Sequence, residues 1–171
     1  MKLTLVRPTL EFKSKALDYR QEHFDNNEMV INGSELLDKT DSYEEWLKSV
    51  TDNTSPDTVN PNWVVTDTFF AVDGNEEIVG IIDLRHTLNE FLKDFGNSGY
   101  SVRPSMRKKG YATKMLSLII NVAKEAGMTQ LQLSVERDNE PSVKTIVNNG
   151  GGYKRSFEFQ GESADVYMIE L

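Results

Sequence analysis

Two patterns predict strands in this chain: alternating apolar and polar residues, and short runs of β-branched and aromatic residues. The clearest signal is a pair of β-branched and aromatic runs, residues 63–72 and 77–84, on either side of the turn residues Asp73-Gly74-Asn75. Two such runs around a short turn predict an antiparallel hairpin. The same reasoning predicts further strands around Leu3 and Leu5, at 97–104 before a proline-led turn, at 131–135, and in a closing hairpin of 153–159 and 166–171.

Apolar residues three and four positions apart predict the helices. The longest such pattern runs from Gly110 to about Ala126 and is followed by Gly127, a residue type that favours helix C-termini. Ser42 with Glu45 three residues later forms a capping-box pattern at the start of a helix that reaches Val50. Further helices are predicted at residues 11–24, at 88–95 with a less regular pattern, and at 141–149.

Hairpins therefore occur together with strands that alternate with helices. This combination predicts an α+β or mixed α/β protein with a central mixed sheet and helices on its faces. A length of 171 residues suits one compact domain, and we expect residues 1–171 to form it. The acidic stretch 26–57 is interpreted either as a solvated surface connection or as a lid on the substrate side, where its charge would suit a cationic substrate.

Composition narrows the possible functions. A chain with 38% hydrophobic and 27% charged residues has the composition of a globular protein. The absence of cysteine excludes a thiol nucleophile, a disulfide and a cysteine–zinc site, and it suits a cytoplasmic location. The net charge of −8 argues against a nucleic-acid partner. Charge and proline near the N-terminus, and the lack of any window near ~20 apolar residues, predict neither a signal peptide nor a membrane span.

A basic loop stands between the strand at 97–104 and the longest helix, with the sequence Arg107-Lys108-Lys109-Gly110-Tyr111-Ala112. The first N–H groups of a helix lack intrahelical partners, and the helix dipole favours an anion there. Gly110 allows a ligand to approach the backbone, and small Ala112 leaves the first turn uncrowded. The loop predicts a phosphate or diphosphate site. The alternative is a helix that simply begins with glycine after a basic turn. The glycine patterns of nucleotide-binding loops are absent.

These residues resemble the cofactor motif of the GCN5-related N-acetyltransferase (GNAT) family: Arg or Gln, two residues, Gly, one residue, then Gly or Ala. Arg107, Gly110 and Ala112 match it. Val102-Arg103-Pro104 resembles the strand end beside the motif, and Leu133-Ser134-Val135 with Asn139 and Ser142 resembles the next strand and helix entry. The resemblance is best over residues 77–153, the expected cofactor-binding core. A narrower resemblance links Leu84-Arg85-His86 and Gly99–Ser105 to a group of uncharacterised predicted acetyltransferases.

The resemblance implies a GNAT-like acyl-CoA N-acyltransferase fold that uses acetyl-CoA and no metal. An amine-bearing acceptor would attack the thioester directly, with an N–H near Val102 binding the oxyanion. The pantetheine arm would run beside Tyr100 to Val102, with Asn139 and Ser142 facing it or the thiol. Family members commonly form dimers, so a homodimer is compatible with the resemblance. The diphosphate would be held by the loop residues Arg107, Lys108, Lys109, Gly110, Tyr111, Ala112 and Thr113.

The family's usual acid and base are missing from the chain. Counting from Asn139, Ile146 occupies the position where many members carry a tyrosine acid. Gly96, Ser98 and Tyr100 stand where some members carry a carboxylate or histidine, and the related group often has a histidine at Asn97. The remaining candidates are Tyr100 or Ser142 as proton donor, Glu136 or His86 as base, a water-relayed base, or positioning alone.

Each candidate also has a structural interpretation. Glu136 would be a solvated charge, His86 a hydrogen-bonded structural group, and Arg85 an ion-pair partner of Asp83 or Glu90 rather than a ligand of a substrate carboxylate. His23 is expected at the surface. Trp46 and Trp63 are expected to pack, with an amine-binding role as the alternative. For the whole protein, the alternatives to an N-acetyltransferase are a noncatalytic CoA or acyl-CoA binding module and a nucleotide-phosphate binder.

Overall fold

The computed structural model describes all 171 residues, which form seven strands and four helices. Two short 3-10 turns, Leu10–Phe12 and Pro104–Met106, precede the first helix and follow the fourth strand. The strands are β1 (Thr4–Val6), β2 (Thr66–Val72), β3 (Ile78–Arg85), β4 (Tyr100–Val102), β5 (Gln130–Glu136), β6 (Gly152–Phe159) and β7 (Glu162–Glu170). The helices are α1 (Lys13–Asp25), α2 (Tyr43–Asp52), α3 (Tyr111–Glu125) and α4 (Glu140–Asn148).

The strands build two sheets in the orders β1-β2-β3-β4 and β5-β7-β6. Every ladder is antiparallel, so the single mixed sheet expected from the sequence is divided in two. The two strands that flank α3, β4 and β5, share no ladder. The sheets meet instead at an isolated bridge between Gly96 and Leu133. The predicted mixed α/β class is confirmed, and the division leaves a gap between β4 and β5.

Helices cover both faces of the first sheet and create two apolar clusters. The larger cluster packs α3 against one face, continues to α4 and the second sheet, and includes Ile82, Met115 and Ile119. The smaller cluster packs α1 and α2 against the other face and includes Tyr19, Trp46 and Phe70. Because β3 is buried on both faces, its apolar residues occupy consecutive rather than alternate positions, and Asp83 is a buried charged residue among them.

The stretch 26–57 lies at the surface but buries several of its side chains, so a purely solvated connection is wrong. Ile31 and Leu37 are buried against the first sheet together with Trp46 of α2. The predicted cap of α2 is confirmed, because Ser42 Oγ accepts a hydrogen bond from Glu45 N at 3.2 Å. His23, expected at the surface, is 1% exposed because the segment after α1 folds over it.

Residues 88–95 form turns instead of the predicted helix. Asn89 Oδ1 accepts a hydrogen bond from Leu92 N at 2.9 Å, which favours a local turn over helix propagation. The fourth strand is also shorter than predicted, since its regular part begins only at Tyr100. No helix combines the length and apolar character needed to cross a membrane.

Candidate active site

The loop before α3 presents a run of free backbone donors. Lys108 and Gly110 adopt left-handed conformations with φ of 63° and 85°, and Gly110 is the N-cap of α3 without a side-chain cap. None of the backbone N–H groups from Lys108 to Thr113 donates a hydrogen bond within the chain. Lys108 and Lys109 are exposed and form no ion pair. The loop therefore joins free N–H groups, the positive end of a helix and two lysines, which together suit a diphosphate.

Arg107 is already engaged by a carboxylate. Its Nη1 and Nη2 donate to Glu28 Oε2 and Oε1 at 2.7 and 2.6 Å, and its Nε donates to Val102 O at 3.2 Å. His23 Nδ1 lies 3.0 Å from Glu28 Oε1. Hydrogen bonds from Arg107 hold the pKa of Glu28 at about 2. The guanidinium thus braces the loop, which leaves the backbone N–H groups and the two lysines as the donors that are free to meet an anion.

A second carboxylate holds the turn between β4 and the loop. Glu22 accepts hydrogen bonds from Ser105 N at 2.8 Å and from Arg103 Nη1 at 3.1 Å. Sequence reasoning did not identify Glu22 and Glu28 as partners of this loop, because about 80 residues separate each from its contacts. The C-terminal turn of α1 and the residues after it therefore fix the loop.

The gap between β4 and β5 begins at Asn97. Asn97 N donates to Gln132 O at 2.7 Å, and Asn97 Oδ1 accepts from Gln132 N at 2.8 Å. After this pair of hydrogen bonds, the chain pairs with β3: Gly99 O accepts from Asp83 N, and Arg103 N donates to Val79 O. Backbone groups of an antiparallel strand alternate in direction, so those of Tyr100 and Val102 face the gap. An extended ligand could pair with β4 there, as an added strand does.

Two predicted proton-donor candidates meet at this gap. Tyr100 Oη lies 2.7 Å from Ser142 Oγ, which joins β4 to the first turn of α4. Burial raises the pKa of Tyr100, so its phenol stays protonated at neutral pH. Asn139 is the N-cap of α4, and its Oδ1 accepts from Ser142 N at 3.3 Å. Tyr100, Ser142 and Asn139 thus lie together at one side of the gap.

The other sequence candidates form no hydrogen bond with Tyr100 or Ser142. Glu136, at the end of β5, is exposed and makes no side-chain hydrogen bond or ion pair. His86 Nε2 lies 2.7 Å from Asp67 Oδ2, in accordance with the structural interpretation. Arg85 pairs with Asp83 at 3.2 Å. Ile146 is fully buried in the larger cluster and packs against Gly151, where an added Cβ would lie 2.4 Å from Ile146 Cγ2.

The sequence matches one known protein family. A family model described as an acetyltransferase (GNAT) domain matches residues 2–151. No curated protein matches the sequence.

Solved structures share the fold at low identity. The microcin C7 self-immunity acetyltransferase MccE, in complex with acetyl-CoA and AMP, has a TM-score of 0.73 at 16% identity, over 99% of this chain and 93% of that one. The protein yncA from Salmonella typhimurium, with its cofactor acetyl-CoA, has a TM-score of 0.69 at 13% identity, over 100% and 95%. The spermidine/spermine N-acetyltransferase SpeG from Vibrio cholerae, in mutant forms, has a TM-score of 0.67 at 15% identity, over 99% and 94%. These similarities establish the fold.

Proposed function

Because the chain belongs to the GNAT acetyltransferase family, we propose that it transfers the acetyl group of acetyl-CoA to a primary amine by direct attack on the thioester. The observation that carries the proposal is the run of free N–H groups from Lys108 to Thr113, at the motif Arg107, Gly110 and Ala112. The acetyl-CoA complexes of MccE and yncA support the choice of cosubstrate.

The loop and the gap would divide the binding of acetyl-CoA between them. The N–H groups of residues 108–113, with Lys108 and Lys109, would bind the diphosphate. The backbone of Tyr100 would pair with an amide of the pantetheine arm, because Val102 O already accepts a hydrogen bond from Arg107 Nε. Arg107 would act through Val102 O, by keeping β4 and the loop in register.

The reacting end of the gap would combine an oxyanion donor with a proton donor. Val102 N–H would stabilise the negative charge that develops on the thioester oxygen. Tyr100 and Ser142, 2.7 Å apart, would pass a proton to the departing thiolate. Tyr100 would thereby take the role that Ile146 cannot fill.

The second candidate function is a noncatalytic CoA or acyl-CoA binding module. The observation that favours it is Ile146, an apolar and fully buried residue where many members carry an acid. Amine-dependent release of CoA distinguishes the two functions, since only the enzyme requires an acceptor.

Thermal unfolding with acetyl-CoA, CoA and ATP tests the cofactor assignment. A ligand at ~100 times its Kd stabilises by ~2.7 kcal/mol, which raises the Tm of a domain of this size by about 5–10 °C. We expect this shift with both CoA species and not with ATP. An equal shift with ATP, or none with any ligand, would contradict the proposal.

A matched pair of variants locates the site. Gly110→Glu places a carboxylate where the diphosphate is expected, and only Met1 Cε, at 3.7 Å, would neighbour the new Cβ. Gly127→Glu makes the same change at the other end of α3, at a similar φ of 83° and in open space. Both variants carry similar backbone strain. We expect Gly110→Glu alone to abolish the CoA-induced shift, and equal retention of the shift in both variants would exclude the loop.

A further inference from the structure

One face of the second sheet adjoins the start of the gap between β4 and β5. Alternate residues of β5, from Leu131 to Val135, pack in the larger apolar cluster, so Ser134 and Glu136 point to the opposite face. Ser134 Oγ donates to Phe95 O at 2.9 Å, which places the end of the turn segment 88–95 over that face. The next residue, Gly96, forms the bridge at which the two sheets meet.

Four phenylalanine rings lie together on this face and remain partly open to solvent. We refer to them as the aromatic surface: Phe91, Phe95, Phe157 and Phe159. Phe95 packs edge-on against Phe157 and Phe159, with ring centroids 5.9 and 4.9 Å apart. The ring of Phe91 lies 5.4 Å from that of Phe95. Phe91 is 64% exposed and Phe159 is 45% exposed. A contiguous group of exposed rings is characteristic of a binding surface.

Two carboxylates without partners lie beside these rings. Glu136, Ala164 and Phe157 are neighbours on adjacent strands, so their side chains share one face. Glu162 lies opposite Phe159 in the β6–β7 ladder and is on the same face. Both glutamates are exposed, and neither makes a side-chain hydrogen bond or an ion pair.

The cations near the rings are already paired. Lys93 pairs with Glu90 at 2.7 Å, and Arg155 pairs with Asp94 at 2.6 Å. Glu136 and Glu162 therefore leave an excess of two negative charges beside the aromatic surface, which favours a cation attached to an apolar group. Because the two ion pairs border the rings, the apolar surface is short and fits one small apolar group rather than an extended peptide.

Resting on the proposed function, we propose that the aromatic surface binds the acceptor and that the acceptor is a small arylalkylamine. The rings contact the aryl group. Glu136 and Glu162 attract the ammonium group to the edge of the gap, and both act as binding groups. The amine nitrogen then faces the gap while the aryl group stays on the sheet. The substrate class thus narrows from any primary amine to one with an aryl group on a short alkyl chain.

The pair 3-phenylpropylamine and propylamine tests the apolar contact, because the two amines differ by the aryl group and have ammonium groups of similar acidity. We expect kcat/KM for CoA release to be at least about 10-fold higher with 3-phenylpropylamine. Phe159→Ala should lower this kcat/KM by about 3–10-fold and should change the value for propylamine by less than about 2-fold.

Tyr153→Ala is the matched control on the same strand. Tyr153 is 56% exposed, and its hydroxyl lies 2.7 Å from Ser156 Oγ. Ser156 alternates with Phe157 along β6 and so belongs to the opposite face. This variant should keep the preference for 3-phenylpropylamine.

The charge contribution is tested with Glu136→Gln and Glu162→Gln. Each should raise KM for both amines by about 2–5-fold with little change in kcat, because both amines carry the ammonium group. Glu158→Gln is the control, since it removes the same charge from the opposite face of β6. A fall of kcat by 100-fold or more in Glu136→Gln would overturn its binding role.

Titration calorimetry of 3-phenylpropylamine into the protein saturated with CoA measures binding without turnover. We expect Phe159→Ala, but not Tyr153→Ala, to weaken the affinity by at least about 3-fold. If both amines release CoA equally and Phe159→Ala changes neither rate, the inference is overturned and the proposed function stands. If no primary amine releases CoA but binding still depends on Phe159, the proposed function fails and the binding assignment stands.

Two further outcomes would count against the inference. Release of CoA with a tripeptide that has an N-terminal phenylalanine, and not with 3-phenylpropylamine, would overturn the assignment to a small amine. The absence of both CoA release and calorimetric binding with 3-phenylpropylamine would overturn the assignment of the aromatic surface as its site.

Discussion

Replacement of Glu28 with glutamine measures how strongly the ion pair with Arg107 holds the loop before α3. The pKa of Glu28 is about 2, against an ordinary value of 4.5, chiefly because Arg107 donates two short hydrogen bonds to it. This difference corresponds to at most about 3.4 kcal/mol of stability. The Arg107 side chain is 40% exposed, so solvent screening reduces the contribution. We expect about 1–2 kcal/mol, which lowers Tm by about 2–8 °C for a chain of this length.

The pH dependence of this effect identifies its cause. The folded protein holds the pKa of Glu28 below its unfolded value, so the stabilisation is fully present above about pH 4.5 and is lost as the pH falls toward 2. Glutamine does not titrate. The difference in Tm between the wild type and Glu28→Gln should therefore narrow by more than half between pH 6 and pH 3.

Differential scanning calorimetry of both proteins across this pH range is the assay. Glu90→Gln is the control, because Glu90 also pairs with a cation, Lys93 at 2.7 Å, but is 88% exposed. Exposed pairs of this kind contribute little, so its Tm should change by less than about 2 °C at every pH. A Glu28→Gln protein with the wild-type Tm at pH 6, or with a constant deficit down to pH 3, would refute the reasoning.

Two further substitutions test the elements around β4. Gly33→Ala should lower Tm by more than about 5 °C, because the new Cβ would clash with Gly99 O and Gly33 has a φ of 76°. A circular-dichroism melt measures this change. An unchanged Tm would mean that the segment containing Gly33 does not pack against β4. Tyr100→Phe removes the hydroxyl that contacts Ser142, so kcat for CoA release should fall by about 10–100-fold with little change in KM for acetyl-CoA. Steady-state kinetics checks this, and an unchanged kcat would remove Tyr100 from the proton path.

Local patterns in the sequence predicted most of the secondary structure. Gly127 and Ser42 mark helix ends through backbone chemistry that depends on a few neighbouring residues. The Arg107–Ala112 motif is equally local, and its position between β4 and α3 follows from the patterns around it. Predictions of this kind agree with the structure because they do not depend on contacts with distant parts of the chain.

Apart from the local turn at Asn89, which replaces the helix predicted over 88–95, the errors concern contacts between distant parts of the chain. His23 lies on a helix with little amphipathic pattern, and it is buried only because the segment after α1 folds back to bring Glu28 within 3.0 Å. The sequence also predicted strand character over 97–104. Asn97, however, uses its side chain to join the two sheets and so departs from a regular ladder. Neither contact leaves a periodic trace in the sequence.

The segment from the end of α1 to Asn32 contacts both the loop before α3 and the strand β4. At one end, Glu22 and Glu28 hold the turn and loop that would bind the diphosphate. At the other end, Ser101 Oγ donates to Asn32 O at 2.7 Å. A shift of this segment would therefore displace the loop before α3 and the strand β4 together. These contacts join residues about 70–80 positions apart, which is why a segment whose composition indicated a surface loop is held against β4.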